Sequence, residues 1–374
     1  MARNSSIEGP SDGSAEDRLV DIDLARGLAV FGMYAAHVGG DPIPDDLGLI
    51  GNLMELPLGR SSALFAVLAG FSIILITGRK ARKSGEAGRQ AVARVAIRAL
   101  VLLAIGSILT RLGTGIAVIL KTYGICFLLV LPLYRRSAQQ LGLLAAGTAL
   151  VLPQMRFLLK LFGPEGSLNP VFDFMVHGAY PAMTWVPFVI AGMAIARLSL
   201  NTQAMHWRLG LEGVALAVLG YGGSWLALRL LPVPAVFREP LDSWWYLDSP
   251  WSLLVAAPHS ETTFSILGNT GCAMIVLAAC WLAMDGLPHL RKLVWPIIAV
   301  GSMSLTAYVL HIVGVAYLER IMGIDALEED GSLSVLFGFV VVISTFAVLW
   351  LRAFQRGPME VLMGRITDLA HHIR

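Results

Sequence analysis

Charge is scarce in this chain. Of its 374 residues only 14% are charged, against 56% hydrophobic, and the mean hydropathy is +0.69. Soluble domains carry about 25% charged residues, so an ordinary soluble globule is excluded. Cysteine is rarer still. Cys126, Cys272 and Cys280 all lie in apolar runs, which points to inert thiols and leaves neither a disulfide framework nor a zinc site. The phosphate-cradling G-x-x-x-x-G-K-[ST] loop, G-x-G-x-x-G, G-x-S-x-G and H-E-x-x-H are all missing. No metal is expected, and no nucleic-acid partner, because the arginines are dispersed rather than gathered on one surface. The net charge of +2 says little, since in such a chain the distribution of charge matters more than its sum.

What the chain has in abundance is long apolar runs. About ten of them approach the 20 residues that cross a bilayer, at roughly 19–40, 59–78, 91–110, 113–133, 139–159, 182–199, 209–231, 263–284, 293–318 and 332–353. Strand alternation is absent, so a barrel is disfavoured. The predicted fold is all-α, a polytopic transmembrane helical bundle with the lipid bilayer as its first partner. Residues 1–17 read as a disordered cytoplasmic tail with no cleavable signal peptide, 18–354 as the membrane domain and 355–374 as a cytoplasmic C-terminal tail. Basic connections carry Arg79, Lys80, Arg82, Lys83, Arg89, Arg94 and Arg98, then Arg135 and Arg136, Arg197 and Arg208, and Arg291 and Lys292. They alternate with acidic ones carrying Asp41, Asp45, Asp46 and Glu55, then Asp242, Asp248 and Glu261, then Asp325, Glu328, Glu329 and Asp330. An even number of spans with both termini cytoplasmic satisfies this pattern. Trp244, Trp245, Tyr246 and Trp251 fit an interfacial belt or a sugar-stacking wall.

Within the first span, DIDLARGLAVFGMYAAH places ionisable groups in an apolar helix, where they are costly and mark function by default. Arg26 and His37 are separated by about 1100° of helical turn, so they share a face about 16 Å apart along the axis. Asp23 and Arg26 form an i,i+3 pair that caps the helix or holds a phosphate or carboxylate entering from the cytoplasm. His37, at the opposite end, is a general base or a headgroup-wetted histidine. In the ninth span Ser304, Tyr308 and His311 fall at i, i+4 and i+7, a polar stripe facing a helix neighbour or a wet cavity. His177 and His259 lie in outer loops, able to join His37 or simply solvated. Lys121 and Tyr123 could line the same cavity, with snorkelling as the alternative for Lys121, as it is for Arg60 at the head of the second span. Gly70, with Ala66 and Ala69, would let a neighbouring helix come close.

These segments together resemble a known group. RLVDIDLARGLAVFGMYAAH resembles the opening signature of acyltransferase-3-type membrane acyltransferases, ALFAVLAGFSI their second signature and GSMSLTAYVLHIV their late histidine segment. VILKTYGICFLLVLPL, YPAMTWVPFVIAGMAIARL and AAPHSETTFSILGNTG are similar to segments of the heparan-α-glucosaminide N-acetyltransferase catalytic-domain-like bacterial membrane proteins. The resemblance implies a multi-pass protein of the bacterial cytoplasmic membrane. It would move an acyl group from cytoplasmic acetyl-CoA, or another acyl-CoA, to an extracytoplasmic sugar or similar hydroxyl or amine. His37 and His311 would be catalytic. Arg26, Asp23, Lys121 and Tyr123 would contact the donor, and Arg60, His259, Tyr308 and Ser304 the acceptor. The histidine that the lysosomal enzyme carries in the loop after its first catalytic-domain helix has no counterpart in GGDPIPDDLGLIGNLMELPLG.

Two other classes stay open. Ten spans with buried ions also suit a transporter, although paired broken helices are not visible in the sequence. A non-catalytic member that kept the architecture is the third reading, favoured by the missing loop histidine. The bundle could pair with itself, but no segment specifies it.

Overall fold

The structure is a computed structural model that describes residues 13–39, 49–79, 83–162, 170–238, 249–324 and 332–373. No strand occurs among these residues, and helices make up almost all of them. In chain order they are α1 Gly13–Val38, α2 Leu49–Glu55, α3 Arg60–Thr77, α4 Gly85–Thr110, α5 Leu120–Val130, α6 Ala138–Phe162, α7 Pro170–Val176 and α8 Ala182–Arg197. Then follow α9 Gln203–Ala217, α10 Gly223–Leu230, α11 Thr263–Gly286, α12 Pro288–Leu293, α13 Trp295–Ser302, α14 Ser304–Tyr317, α15 Ser332–Ala353 and α16 Pro358–Thr367. The acidic positions Asp41, Asp45, Asp46, Asp242, Asp248, Asp325, Glu328, Glu329 and Asp330, the aromatics Trp244, Trp245 and Tyr246, the basic Lys80 and Arg82, and the first twelve residues lie outside the described residues.

Seven of the ten expected spans contain a helix long and apolar enough to cross a membrane, by length and composition. The other three depart for physical reasons. α1 holds too many charges to pass as a lipid-facing span, but it is enclosed by its neighbours: Ala25, Ala29, Val30, Met33, Tyr34 and Val38 are all buried. An enclosed helix can carry charge that lipid would reject. α8 is apolar but only 16 residues long. The run 113–133 is helical only from Leu120, because Gly113 and Gly115 adopt positive φ and turn the chain back into the bundle. The ninth span is interrupted as well: α13 stops at Ser302, and α14 starts again after Met303.

Four helix pairs approach to backbone distance, α4 and α5 among them, where a Cβ on Gly124 would meet the Ala99 carbonyl and one on Gly106 the Lys121 N–H. A Cβ on Gly70 (α3) would strike the Val189 carbonyl of α8, and one on Gly192 (α8) would strike the Val67 carbonyl of α3. Gly27 of α1 and Gly301 of α13 are related in the same way through Ile297 and Asp23, and Gly213 of α9 meets Gly271 of α11. In a bilayer such contacts replace the hydrophobic effect as the glue between helices. α3 and α8 are also locked at their C-terminal ends. Arg79 donates to the Ala196 and Leu198 carbonyls at 2.8 and 3.1 Å, and Arg197 donates back to the Gly78 and Arg79 carbonyls at 2.6 Å each. Cations there suit the unsatisfied carbonyls and the helix dipole. The residues after 354 form α16, which packs on α4 and α14 and buries Met363.

Leucine at Gly70 or Gly192 should therefore lower stability by about 1–3 kcal/mol, the usual cost of overpacking. Leucine at the exposed Gly142, where an added Cβ meets nothing within 4 Å, should not. Thermal unfolding of the detergent-solubilised variants, followed by loss of the monodisperse peak, measures this.

Candidate active site

Two glycine contacts fix α1. Gly27 sits against α13, and Gly32, one and a half turns on, faces Ser61 of α3. At the far end of α1 this brings His37 to His311 of α14. Nδ1 of His37 lies 3.2 Å from Nε2 of His311, one nitrogen donating and the other accepting, with the rings near-parallel at 18°. His311 is fully buried and His37 partly so. The His311 ring is stacked on Tyr34 at 4.4 Å between centroids and takes the edge of Phe339 at 4.9 Å. Tyr34 is itself held by a 2.8 Å bond from its hydroxyl to the Ala307 carbonyl. His311 Nδ1 has no hydrogen-bond partner among the described residues. Two imidazoles this close can share one positive charge but not carry two.

A second group of polar side chains gathers beside the pair. The Tyr308 hydroxyl, one turn before His311, accepts from the Ile119 backbone N–H at 3.3 Å, just where α5 begins. Tyr123 donates to the Ser62 carbonyl at 3.0 Å, and the Tyr180 side chain hydrogen-bonds Ser62. His259 packs its ring edge on Tyr180 and lies close enough to His37 for their charges to interact. It reaches there on a strained turn, with His259 at φ 57° and Glu261 at φ 54°. Left-handed backbone at such residues costs about 1–3 kcal/mol each and persists only where the surroundings impose it. Here the restraint is visible. Buried Glu261 pairs with Arg156 at 3.0 Å and accepts from Trp185 Nε1 at 2.8 Å and the Thr184 hydroxyl at 3.1 Å.

Other predicted residues lie elsewhere. Arg26 pairs with Asp23 at 2.9 Å and donates to the Ser72 hydroxyl of α3 at 2.9 Å, close to Arg98 and Glu360 at the opposite end of α1. Lys121 lies along Gly106 of α4, and half-buried Ser304 stands at the helix break. Arg60 turns to another neighbour. Its Nε donates to Tyr221 at 3.1 Å, and Tyr221, within the π-helical turn Val218–Gly222, donates to Asn269 at 2.7 Å. His177 pairs with Asp173 on the surface, and Trp251 packs on the small apolar cluster of Val233, Phe237 and Val255. Tyr34, Tyr180 and Ser62 escape sequence reasoning because each reaches the site through contacts distant in the chain. The signal that could have found Tyr34 is its i,i+3 relation to His37.

Burial pushes the His259 imidazole down to about 4. It pushes the Glu261 carboxyl up to about 7, against the pull of the Arg156 guanidinium, Trp185 and Thr184. From the ordinary 6.5 down to about 4, the fold binds fewer protons at His259 than the unfolded chain does, so stability is lost as pH falls. From 4.5 up to about 7 it binds more at Glu261, so stability is lost as pH rises. The two slopes oppose each other where they overlap. His259→Asn should therefore gain stability relative to the wild type as pH falls from 6.5 to 4.5, by at most about 1.4 kcal/mol per pH unit. Melting curves at several pH values test this, and parallel curves for the two proteins would refute it.

A family profile described as Heparan-alpha-glucosaminide N-acetyltransferase, catalytic, matches residues 18–227, more than half of the chain. A second, described as Protein of unknown function (DUF418), matches residues 223–370. No curated protein matches the chain. The first match covers α1 with Arg26 and His37, and the second covers α14 with His311 and all of α16. An all-α multi-pass bundle with the catalytic-domain match over its first half identifies the chain as a member of the heparan-alpha-glucosaminide N-acetyltransferase catalytic family, a transmembrane acetyltransferase-like protein.

Proposed function

We propose that this protein transfers an acetyl or other acyl group from acyl-CoA, entering from the cytoplasm, to a hydroxyl or amine of an extracytoplasmic sugar or similar acceptor. The observation that carries the reading is the 3.2 Å bond between His37 and His311, made inside the bundle at the end of α1 opposite Arg26. For His37 to act as general base at Nε2, its hydrogen must sit on Nδ1 and be donated to His311 Nε2. The acceptor X–H then gives its proton to His37 Nε2 as the X–C(acyl) bond forms. The thioester C–S bond breaks, and the proton passes on to the departing sulfur. His311 orients His37 and shares the charge that develops.

At the basic end, Arg26, oriented by Asp23 and Ser72, would hold a donor phosphate. The pantetheine arm would bridge the interval of about 16 Å to His37. Lys121 and Tyr123 would lie along that arm. Tyr308 and His259 are the acceptor-side contacts the geometry favours. Arg60, committed to Tyr221, and Ser304, at the helix break, lie off this path. The connections at the His37 end are rich in Asp, a field that favours a cationic amine over an anionic glycan.

Purified protein incubated with radiolabelled acetyl-CoA and a panel of amino sugars should release CoA and label an acceptor. His37→Ala should cut the rate by about 10²–10⁴, the usual contribution of a general base, and undiminished release in that variant would remove His37 from the mechanism. Two interrupted segments, at α5 and at α13–α14, favour transport as the second reading. Substrate uptake into proteoliposomes without acyl-CoA would support it, whereas tight acyl-CoA binding without uptake would exclude it.

A further inference from the structure

α14 begins inside the bundle without a cap of its own. Met303 precedes it at φ −123°, ψ 39° and makes no side-chain bond to the first turn. A helix start leaves up to four N–H groups without intrahelical partners, and in this first turn Thr306 and Ala307 are buried. The partner arrives from the far end of the chain. Glu360 of α16 accepts from the Leu305 and Thr306 N–H groups through Oε1, at 2.8 and 3.2 Å. Its Oε2 accepts from the Thr306 hydroxyl at 2.6 Å, and that hydroxyl oxygen accepts from the Met359 N–H at 3.0 Å. Glu360 also lies in the first turn of its own helix, so one carboxylate serves two helix N-termini. The seat is closely fitted: a Cβ on Gly357 would meet Glu360 Oε2, the Met303 side chain and the Thr306 hydroxyl.

His311 is five residues beyond Thr306, about 7.5 Å up the same rigid helix. A displacement at the helix start is therefore delivered whole to the imidazole. An N–H···N bond of 3.2 Å has little room for it, since a shift of about half an ångström takes the pair past hydrogen-bonding range. The Tyr34 bond to Ala307 restrains α14 from the side of α1, and Glu360 restrains it along its axis.

We infer that Glu360 is a positioning residue for the candidate site. Its carboxylate caps α14 across 54 residues of chain and sets the height of His311 against His37, which makes the C-terminal helix a working part of the site. The kinetic readout below rests on the acyl-transfer reading, and the spectroscopic one does not.

The test uses the full-length protein in nanodiscs with ¹⁵N-labelled histidine rings. The wild type should show nitrogen–nitrogen coupling across the His37–His311 bond. Glu360→Gln, whose amide oxygen can still accept both backbone N–H groups, should keep the coupling, and Glu360→Ala should lose it. In CoA release, Glu360→Ala should lower kcat at least about tenfold, as misplacement of a catalytic group does. Glu360→Gln should recover most of that loss. Coupling and kcat both retained in Glu360→Ala would overturn the inference, as would equal losses in the two variants. Should Glu360→Ala fail to fold, Thr306→Val, which removes two of the four bonds, takes its place: weaker coupling supports the inference and unchanged coupling overturns it. A wild type that releases no CoA but shows the coupling sinks the acyl-transfer reading and leaves this one standing.

Discussion

Everything at the centre of this bundle depends on helices meeting at backbone distance. Gly27 against Ile297 and Gly301 against Asp23 seat α1 on α13 with no side chain between them. Gly32 admits Ser61, and the Gly70–Val189 and Gly192–Val67 contacts seat α3 on α8. From Val20 to Val38, α1 is thereby largely enclosed in protein, although this stretch holds two acids, an arginine and a histidine. A helix with those residues would be expelled by lipid, and within this packing each ionisable group finds a neighbour instead. α13 ends just past Gly301, and α14, which begins beyond Met303, carries His311 opposite Tyr34 and His37.

Low dielectric dictates the rest of the polar architecture. An unpaired charge in such an interior costs several kcal/mol, so ions survive only in partnership. Arg26 has Asp23 and Ser72; Arg156 has Glu261 and the Val176 carbonyl; Arg79 and Arg197 spend themselves on helix-terminal carbonyls. The histidine pair belongs to a different class. Its members bond to each other, are flanked by Tyr34 and Phe339, and have no carboxylate partner among their described bonds. A pair built that way carries at most one positive charge between its two rings.

Much of this was legible in the sequence where the information was local. Apolar run length gave the helices, and helical spacing put Arg26 and His37 on one face and made Ser304, Tyr308 and His311 a stripe. Local pattern failed where partners are remote or the backbone is unusual. Nothing in GSMSLTAYVLHIV announces a break at Met303, because the cap that permits it is Glu360 of another helix. The turn at His259 and Glu261 occupies left-handed backbone that few residues other than glycine adopt, and the Arg156 and Trp185 partners hold Glu261 in it. Arg60 reads as an outer-boundary cation, yet Tyr221, 161 residues away, takes it. The C-terminal segment reads as a tail because its apolar residues are few, and it is α14 and α4 that give them a surface to bury against.

The two family matches meet within α10, and the candidate site straddles that seam. His37, Tyr123 and Tyr180 belong to the first part; His259, Tyr308, His311 and Glu360 belong to the second. Neither part has both imidazoles, so the pair draws one residue from each match, the second of them described only as of unknown function. The absent loop histidine fits the same division. In this chain the partner of the first-helix histidine is supplied by α14, and α14 is held in place by the last helix of the protein. The histidine pair therefore joins the two ends of the chain: the bond between residues 37 and 311 exists only when both matched regions have folded onto each other.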